Sequence, residues 1–285
     1  MAHSSTYSIV GCDLERREWG VAVQSRFLAV GALAAWAEAE VGAVATQSFM
    51  NTDYGRTGLR LVAEGLSARE ALDRVLASDR ESEKRQVGVV DRDGTVAAHT
   101  GEACLPWAGH RLGRGFAAQG NMLVSADTVD ALADTFGSTQ GPLARRLVAA
   151  LVAAQAAGGD RRGQQAAALI VARRGGGYGG ADIAVDLRVD DDADPVTELG
   201  RLVDLHNLYF CRSDPDTMLE LDEALAAEVR DRIVSLGYDV DGLGFERALE
   251  QWVGTENFEE RHNHPGQIDP LVLDHLRRQA GGVPA

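Results

Sequence analysis

Three short stretches hold the residues that could do chemistry. Thr6 stands at the head of the first β-prone run, TYSIVGC at 6–12. If its α-amino group were free, with a pKa of about 7.7 to 8.0, one residue would supply both a hydroxyl nucleophile and the base that takes its proton. Ser25 and Arg26 close the second run, WGVAVQS at 19–25, and Arg26 has the forked guanidinium that clamps a carboxylate through two parallel hydrogen bonds. The third stretch holds His99, Thr100, Cys104, Trp107, His110, Gln119 and Asn121. Here Cys104 could act as nucleophile with His99 or His110 as its base, and Gln119 or Asn121 could give an amide N–H to a developing oxyanion. Each has a plainer reading: threonine favours strand starts, a thiol packs as a small apolar group, an arginine is solvated or ion-paired, and amides bond turns.

The elements that must position these residues follow from periodicity. The runs at 6–12 and 19–25, separated by DLERRE, read as a hairpin, and a second strand pair is expected at 28–35 and 41–48. Apolar residues at helical spacing predict helices over 54–66 and 67–78, with Ser67 and Glu70 forming a capping box. Strands return at 86–90 and 95–99 around the Asp93-Gly94 turn, and again at 116–119. Two further helices (126–136 and 142–157) and two strands (166–172 and 182–189) complete the order. Strands, two helices, strands, two helices, strands predicts an α+β fold: a four-layer αββα sandwich of two antiparallel sheets with a helix pair on each outer face. This domain is expected over 1–195, a connecting helix over 196–211, and a small helical module over 212–285 with helices near 221–235, 244–253 and 269–279.

Composition narrows the function classes. The 285 residues carry 43 acidic and 28 basic side chains, a net charge of -15, which disfavours nucleic acid and anionic membrane surfaces as partners. The acidity is uneven, with 18 acidic against 8 basic residues in 196–285. Lys84 is the single lysine, so no glycine loop has a lysine for phosphate. Cys12, Cys104 and Cys211 are odd in number and widely spaced, which points to a reducing, cytoplasmic setting. No signal-like start and no apolar run of membrane length is seen. Gly175, Gly177 and Gly180 match a dinucleotide pattern literally but lie between two strands, so no cofactor is expected. The acidic run at 190–194, the pair His262 and His264, and Asp239-Val-Asp241-Gly lack metal-ligand spacing, so no metal is expected either.

TYSIVGCDLERREWGVAVQSR resembles the opening hairpin of N-terminal-nucleophile (Ntn) hydrolases. SIVGCD, GVAVQSRFLAVGA, GAVATQ, YGRTGLRLVAEGLSAREAL, RQVGVVDRDGTVAAHTG, PWAGHRLGRGFAAQGNML and VDLRVDDDADPVTELGRL together resemble a prokaryotic domain-of-unknown-function family grouped with that fold. The tail segments LGYDVDG, LEQWVGTENFEERH and GQIDPLVLDHLRRQ resemble the peptidoglycan-binding-like domain fused behind it. The resemblance implies an amidohydrolase for a small amide or short peptide: Thr6, Ser25 and Asn121 catalytic, Arg26, His99, Cys104, His110 and Gln119 around the substrate. Members of the family commonly start with Met directly before the threonine, whereas MAHSS precedes Thr6 here, so a free amine requires removal of residues 1–5. The alternative is a non-catalytic binding or assembly protein whose tail holds a glycan or a protein. Association into a homo-oligomer, through sheet edges or the alanine-rich 144–157, is expected in either case.

Overall fold

The computed structural model describes residues 6–262 and 264–281. The chain divides into two compact units between Val203 and Asp204. In the first, β1 (Thr6–Asp13) and β2 (Glu18–Ser25) pair as the expected hairpin. A four-residue helix α1 (Gly31–Ala34) leads into β3 (Ala35–Glu38) and β4 (Gly42–Ser48). The helices α2 (Asp53–Ala63) and α3 (Ala68–Ala77) follow. Next come β5 (Arg85–Asp91), β6 (Val96–Thr100), β7 (Gly109–Gly113) and β8 (Phe116–Asn121). The second helix pair is α4 (Asp127–Ser138) and α5 (Leu143–Ala156), and β9 (Ala166–Ala172) and β10 (Ile183–Val189) close the unit.

The strands form a six-stranded sheet, β10-β9-β2-β1-β8-β7, and a four-stranded sheet, β3-β4-β5-β6, antiparallel throughout. Alternation along each strand separates two buried faces. On β1, Tyr7 and Ile9 join Leu132, Phe136, Leu147 and Leu151 of α4 and α5 in one core. The intervening Val10 and Cys12 meet Ala43, Ala45, Val90 and Ala98 of the other sheet. On the far side of the four-stranded sheet, Val44, Val87 and Val89 pack on Leu59, Val62, Leu72 and Val75 of α2 and α3. These three apolar interfaces make the four layers α, β, β, α. The capping box of Ser67 and Glu70 opens α3, and Asp91 Oδ1 accepts the N–H groups of Asp93 and Thr95 to fix the turn at Gly94 (φ 77°).

Two local readings differ. The run at 28–35 is a turn followed by α1, with a strand only from Ala35. The backbone here is pulled into a helical turn by Ala34 N–H to Val30 C=O, and Ala29 takes φ 52° with its N–H on Asp190 C=O. An apolar run alone does not separate a strand from a buried helical turn. β7 was not expected: its burial alternates poorly because it is an edge strand, and Gly109, His110, Arg111 and Gly113 give no apolar stripe.

The helix α6 (Pro195–Phe210) crosses the division, with Val196, Leu199 and Val203 in the core of the first unit. The second unit holds a two-stranded ladder, β11 (Leu219–Glu220) with β12 (Gln267–Ile268). Its helices are α7 (Glu223–Ser235), α8 (Val240–Leu243), α9 (Phe245–Thr255) and α10 (Pro270–Ala280). Val229, Ile233, Trp252, Phe258, Leu273 and Leu276 fill its core. Arg261 is buried, donating to Asp269 Oδ2 at 2.7 Å and to the carbonyls of Asn207 and Leu208. Among the described residues no helix is long and apolar enough to cross a membrane.

Candidate active site

The space between the two sheets is apolar at one end and polar at the other. Thr6, Ser8, Val10 and Cys12 alternate onto it, and the polar half begins where β1 begins. Strand register builds this half in rows. Ser25, Thr6 and Asn121 are direct neighbours across β2, β1 and β8. Ser8, Gln119 and His110 are neighbours across β1, β8 and β7. From the facing sheet come Gln47, Gln86 and Thr100, aligned across β4, β5 and β6. Thr6, Ser8, Ser25, Gln47, Gln86 and Gln119 are fully buried and Asn121 nearly so.

Two backbone carbonyls set the sense of the bonds among the amides and Ser8. Gln86 Nε2 lies 2.8 Å from Gly120 O and 3.1 Å from Gly109 O, which can only accept, so the amide nitrogen must face them. Its Oε1 then faces inward and accepts from Gln47 Nε2 at 2.8 Å and Asn121 Nδ2 at 2.9 Å. Gln47 Nε2 also donates to the carbonyl of Thr6 at 3.3 Å. With its nitrogen so placed, Gln47 presents Oε1 to the Ser8 hydroxyl, which donates at 2.6 Å and accepts from Gln119 Nε2 at 2.7 Å. The Thr6 hydroxyl donates to Ser25 Oγ at 3.0 Å. The sheets come so close that a Cβ on Gly88 would lie 2.4 Å from Gln119 Oε1. A methyl at this position would require the Gln119 carboxamide to shift.

The structure thus brings Thr6, Ser25 and Asn121 together and puts Gln119 in the same buried network, donating to Ser8. Arg26 follows directly on the strand end, with its N–H on Asp160 Oδ2 at 2.9 Å and its side chain exposed beside Gly163. Asp160 is itself buried and paired with Arg162 at 3.0 Å.

Cys104 and the two imidazoles bond separately. Cys104 donates to Arg85 C=O at 3.4 Å, His99 Nε2 meets Ser82 C=O at 3.0 Å, and His110 Nδ1 meets Thr100 Oγ1 at 2.9 Å. Each candidate has a partner of its own, and the thiol–imidazole reading gains no support from these contacts. Burial also pushes the Cys104 thiol up, against the depressed value a nucleophilic cysteine needs. The Cys12 thiol, at the apolar end, is pushed up to about 11 by burial and by Asp13 and Asp91. An open depression of about 450 Å³ at that end is lined by residues including Asp13, Gly94, Gly115 and Arg146, at the opposite end of β1 from Thr6.

Ser8, Gln47 and Gln86 escaped the sequence reading, and Thr100, named there beside His99 and Cys104, instead belongs to this network. The signal for the first three was a glutamine or serine on the inward register of an otherwise apolar strand, as in GAVATQS and RQVGVVD, where a buried polar group must find partners.

Comparison with known proteins places the chain. The family model described as Family of unknown function (DUF1028) matches residues 6–199, and the chain belongs to that family. A second model, described as Putative peptidoglycan binding domain, matches residues 209–276. The crystal structure of protein SPO2555 from Silicibacter pomeroyi, titled with the same family, is similar with a TM-score of 0.65 and 27% identity. That match covers 71% of this chain and 89% of the other. No curated protein matches the chain.

Proposed function

We propose that the first unit is an Ntn-type amidohydrolase acting on a small amide or short peptide, with Thr6 as nucleophile once residues 1–5 are removed. Those five residues lie outside the described ones. The observation that carries the reading is a threonine at the head of a central strand, its hydroxyl on Ser25, its carbonyl held by Gln47 and Asn121 beside it, all buried in one network. A threonine serving only as a strand opener needs no such surroundings.

In this reaction the freed α-amine, neutral above about pH 8, takes the proton of Thr6 Oγ as that oxygen attacks the substrate carbonyl carbon. The carbonyl π pair moves onto oxygen, and an N–H of Asn121 offers it a hydrogen bond. Collapse breaks the C–N bond, the amine hands its proton to the leaving nitrogen, and an ester to Thr6 remains. Water, deprotonated by the same amine, then releases the acid and restores the hydroxyl. Ser25 holds the Thr6 hydroxyl in place, and Arg26, exposed at the adjacent strand end, suits a substrate carboxylate.

The test is the intact mass and N-terminal sequence of untagged protein made from its native start, followed by a screen of small amides with Thr6→Ala as the blank. A chain beginning at Thr6, with hydrolysis lost in the blank, supports the proposal. A chain that keeps residues 1–5, with Thr6→Ala indistinguishable from wild type, removes it. The binding or assembly reading would then stand, favoured by the peptidoglycan-binding match over 209–276.

A further inference from the structure

We propose that His110 and Thr100 are the outer end of the network that positions Thr6, and that protonation of His110 is transmitted inward by Thr100 and Gln86 to Asn121 and Gln47. The inference rests on the reading of Thr6 as nucleophile for its effect on rate, and on geometry alone for the coupling itself.

The topology provides the route. β7 and β6 are edge strands of their respective sheets, they lie against each other, and both end the polar rows. The buried amides therefore reach solvent here, at the exposed His110. The Thr100 hydroxyl lies 3.0 Å from Gln86 Nε2 and 2.9 Å from His110 Nδ1. In the neutral state we assign, Thr100 Oγ1 accepts from Gln86 and gives its own hydrogen to His110 Nδ1. The neutral imidazole therefore carries its hydrogen on Nε2.

Gln86 is the element with two settings. Its Nε2 has two hydrogens and three acceptors within reach: Thr100 Oγ1, Gly109 O and Gly120 O. When His110 gains a proton, Nδ1 becomes a donor to Thr100 Oγ1, and the hydroxyl hydrogen must turn away. Gln86 can then settle both hydrogens on the two carbonyls. That rotation moves Oε1, the shared acceptor of Gln47 and Asn121, one of which holds the Thr6 carbonyl while the other lies beside Thr6. Thr100 and Gln86 are thus positioning residues, since neither touches the reacting atoms.

The surroundings keep the neutral state dominant near neutrality. Although one edge of the ring meets solvent, the imidazole is held below its ordinary value by partial desolvation against its neighbours, then by His99 of β6 and by Arg69 of α3. On its own strand Arg111 is paired with Asp130 and Asp134 of α4, and from β8 the neighbour is the uncharged Gln119. The relay therefore switches below about pH 6.5, under the titration of a free Thr6 amine.

Two measurements on the full chain separate the coupling from the reaction. The first is an NMR titration of the imidazole and of the Gln86 and Asn121 side-chain amides. The expected result is an Nε2–H tautomer at pH 7.5 and amide shifts that follow His110, persisting in Thr100→Ser and abolished in Thr100→Val. Amide shifts that ignore His110, or a Thr100→Val variant that still shows them, would overturn the proposal whether or not the protein hydrolyses anything. The second is the pH profile of hydrolysis by protein beginning at Thr6. Loss of the neutral amine alone lowers the rate about tenfold per pH unit. A second inactivating proton makes it about a hundredfold below the His110 pKa, and His110→Gln and Thr100→Val should restore the tenfold slope. Intact coupling in the first measurement with no hydrolysis in the second would remove the proposed function and leave the coupling standing.

Discussion

Replacing Gln86 with methionine, close to it in length and shape, should cost the first unit about 3 kcal/mol. Gln86 can make at most four hydrogen bonds at once, two donated by Nε2 and two accepted by Oε1, and its partners include Asn121, Gln47 and the carbonyls of Gly109 and Gly120. At about 1 kcal/mol each the bonds sum to roughly 4 kcal/mol. The less polar side chain recovers about 1 kcal/mol through burial. For a unit of this size the melting temperature should fall by roughly 6 to 12 °C, followed by circular dichroism at pH 7. Gln86→Glu separates shape from donor capacity. Its carboxyl would face two carbonyls, so its pKa in the folded state should rise above the unfolded value of about 4.3. A raised carboxyl pKa means stability present below that unfolded value and lost as pH rises through the folded one. The variant should therefore melt closest to wild type in acid and fall further behind toward pH 8. A Gln86→Met protein that melts within about 2 °C of wild type would refute the reasoning, because the network would then have relaxed around the loss without Gln86 as its hub.

Asp269→Asn should destabilise the second unit by about 3 to 5 kcal/mol, since it leaves the buried Arg261 guanidinium uncompensated; hydrogen exchange in α9 and α10 reads the loss. Burial raises the Asp269 carboxyl, but hydrogen bonds from Ser213, Arg261 and the Leu271 N–H outweigh it and hold the group below its ordinary value. Its contribution is therefore present above about pH 3.9 and lost as pH falls through the lower folded value, a dependence Asp269→Asn should lack. Gly88→Ala should cost about 1 to 3 kcal/mol by driving a methyl into Gln119, whose amide is tied to Ser8; unchanged melting would show that Gln119 can swing aside. Cys12 and Cys104 should resist iodoacetamide at pH 8 while Cys211, which is only partly covered, reacts first; peptide mapping of the alkylated protein checks the order.

What the sequence made legible was governed by local rules. The Asp93-Gly94 turn, the Ser67 capping box and the helical spacing over 54–78 each depend on residues a few positions apart, and each element formed where that chemistry put it. Thr6, Ser25 and Asn121 were singled out from different stretches, and strand register sets them side by side. The facing row was not legible as a row: Thr100 was named only beside the thiol and Gln47 and Gln86 not at all, because nothing local says which polar residue on a strand meets which on the opposite sheet. Cys104 and the histidines illustrate the converse. Their types suggested a catalytic pair, yet packing gave each a separate backbone or hydroxyl partner.

The arrangement of the inter-sheet space carries the functional argument further than any single residue. A sandwich gains most from filling this layer with apolar side chains, as Val10, Trp19, Val21 and Val90 do at one end. At the other end the chain gives up that gain for amides and hydroxyls whose net worth is small even when satisfied. What such a network provides is direction: two carbonyls orient Gln86, Gln86 orients Asn121 and Gln47, and Gln47 fixes the Thr6 carbonyl and the sense of Ser8. A nucleophile needs its hydroxyl and backbone held in one orientation, while a strand opener does not. The polar layer ends at Thr6, and that coincidence is why the prediction with most weight is the loss of hydrolysis in Thr6→Ala with the fold retained. The Thr6→Ala change removes one hydroxyl whose bond runs to Ser25, so stability should change by about 1 kcal/mol while turnover disappears. Turnover surviving in Thr6→Ala protein of unchanged fold would mean that the layer is oriented for something other than this threonine.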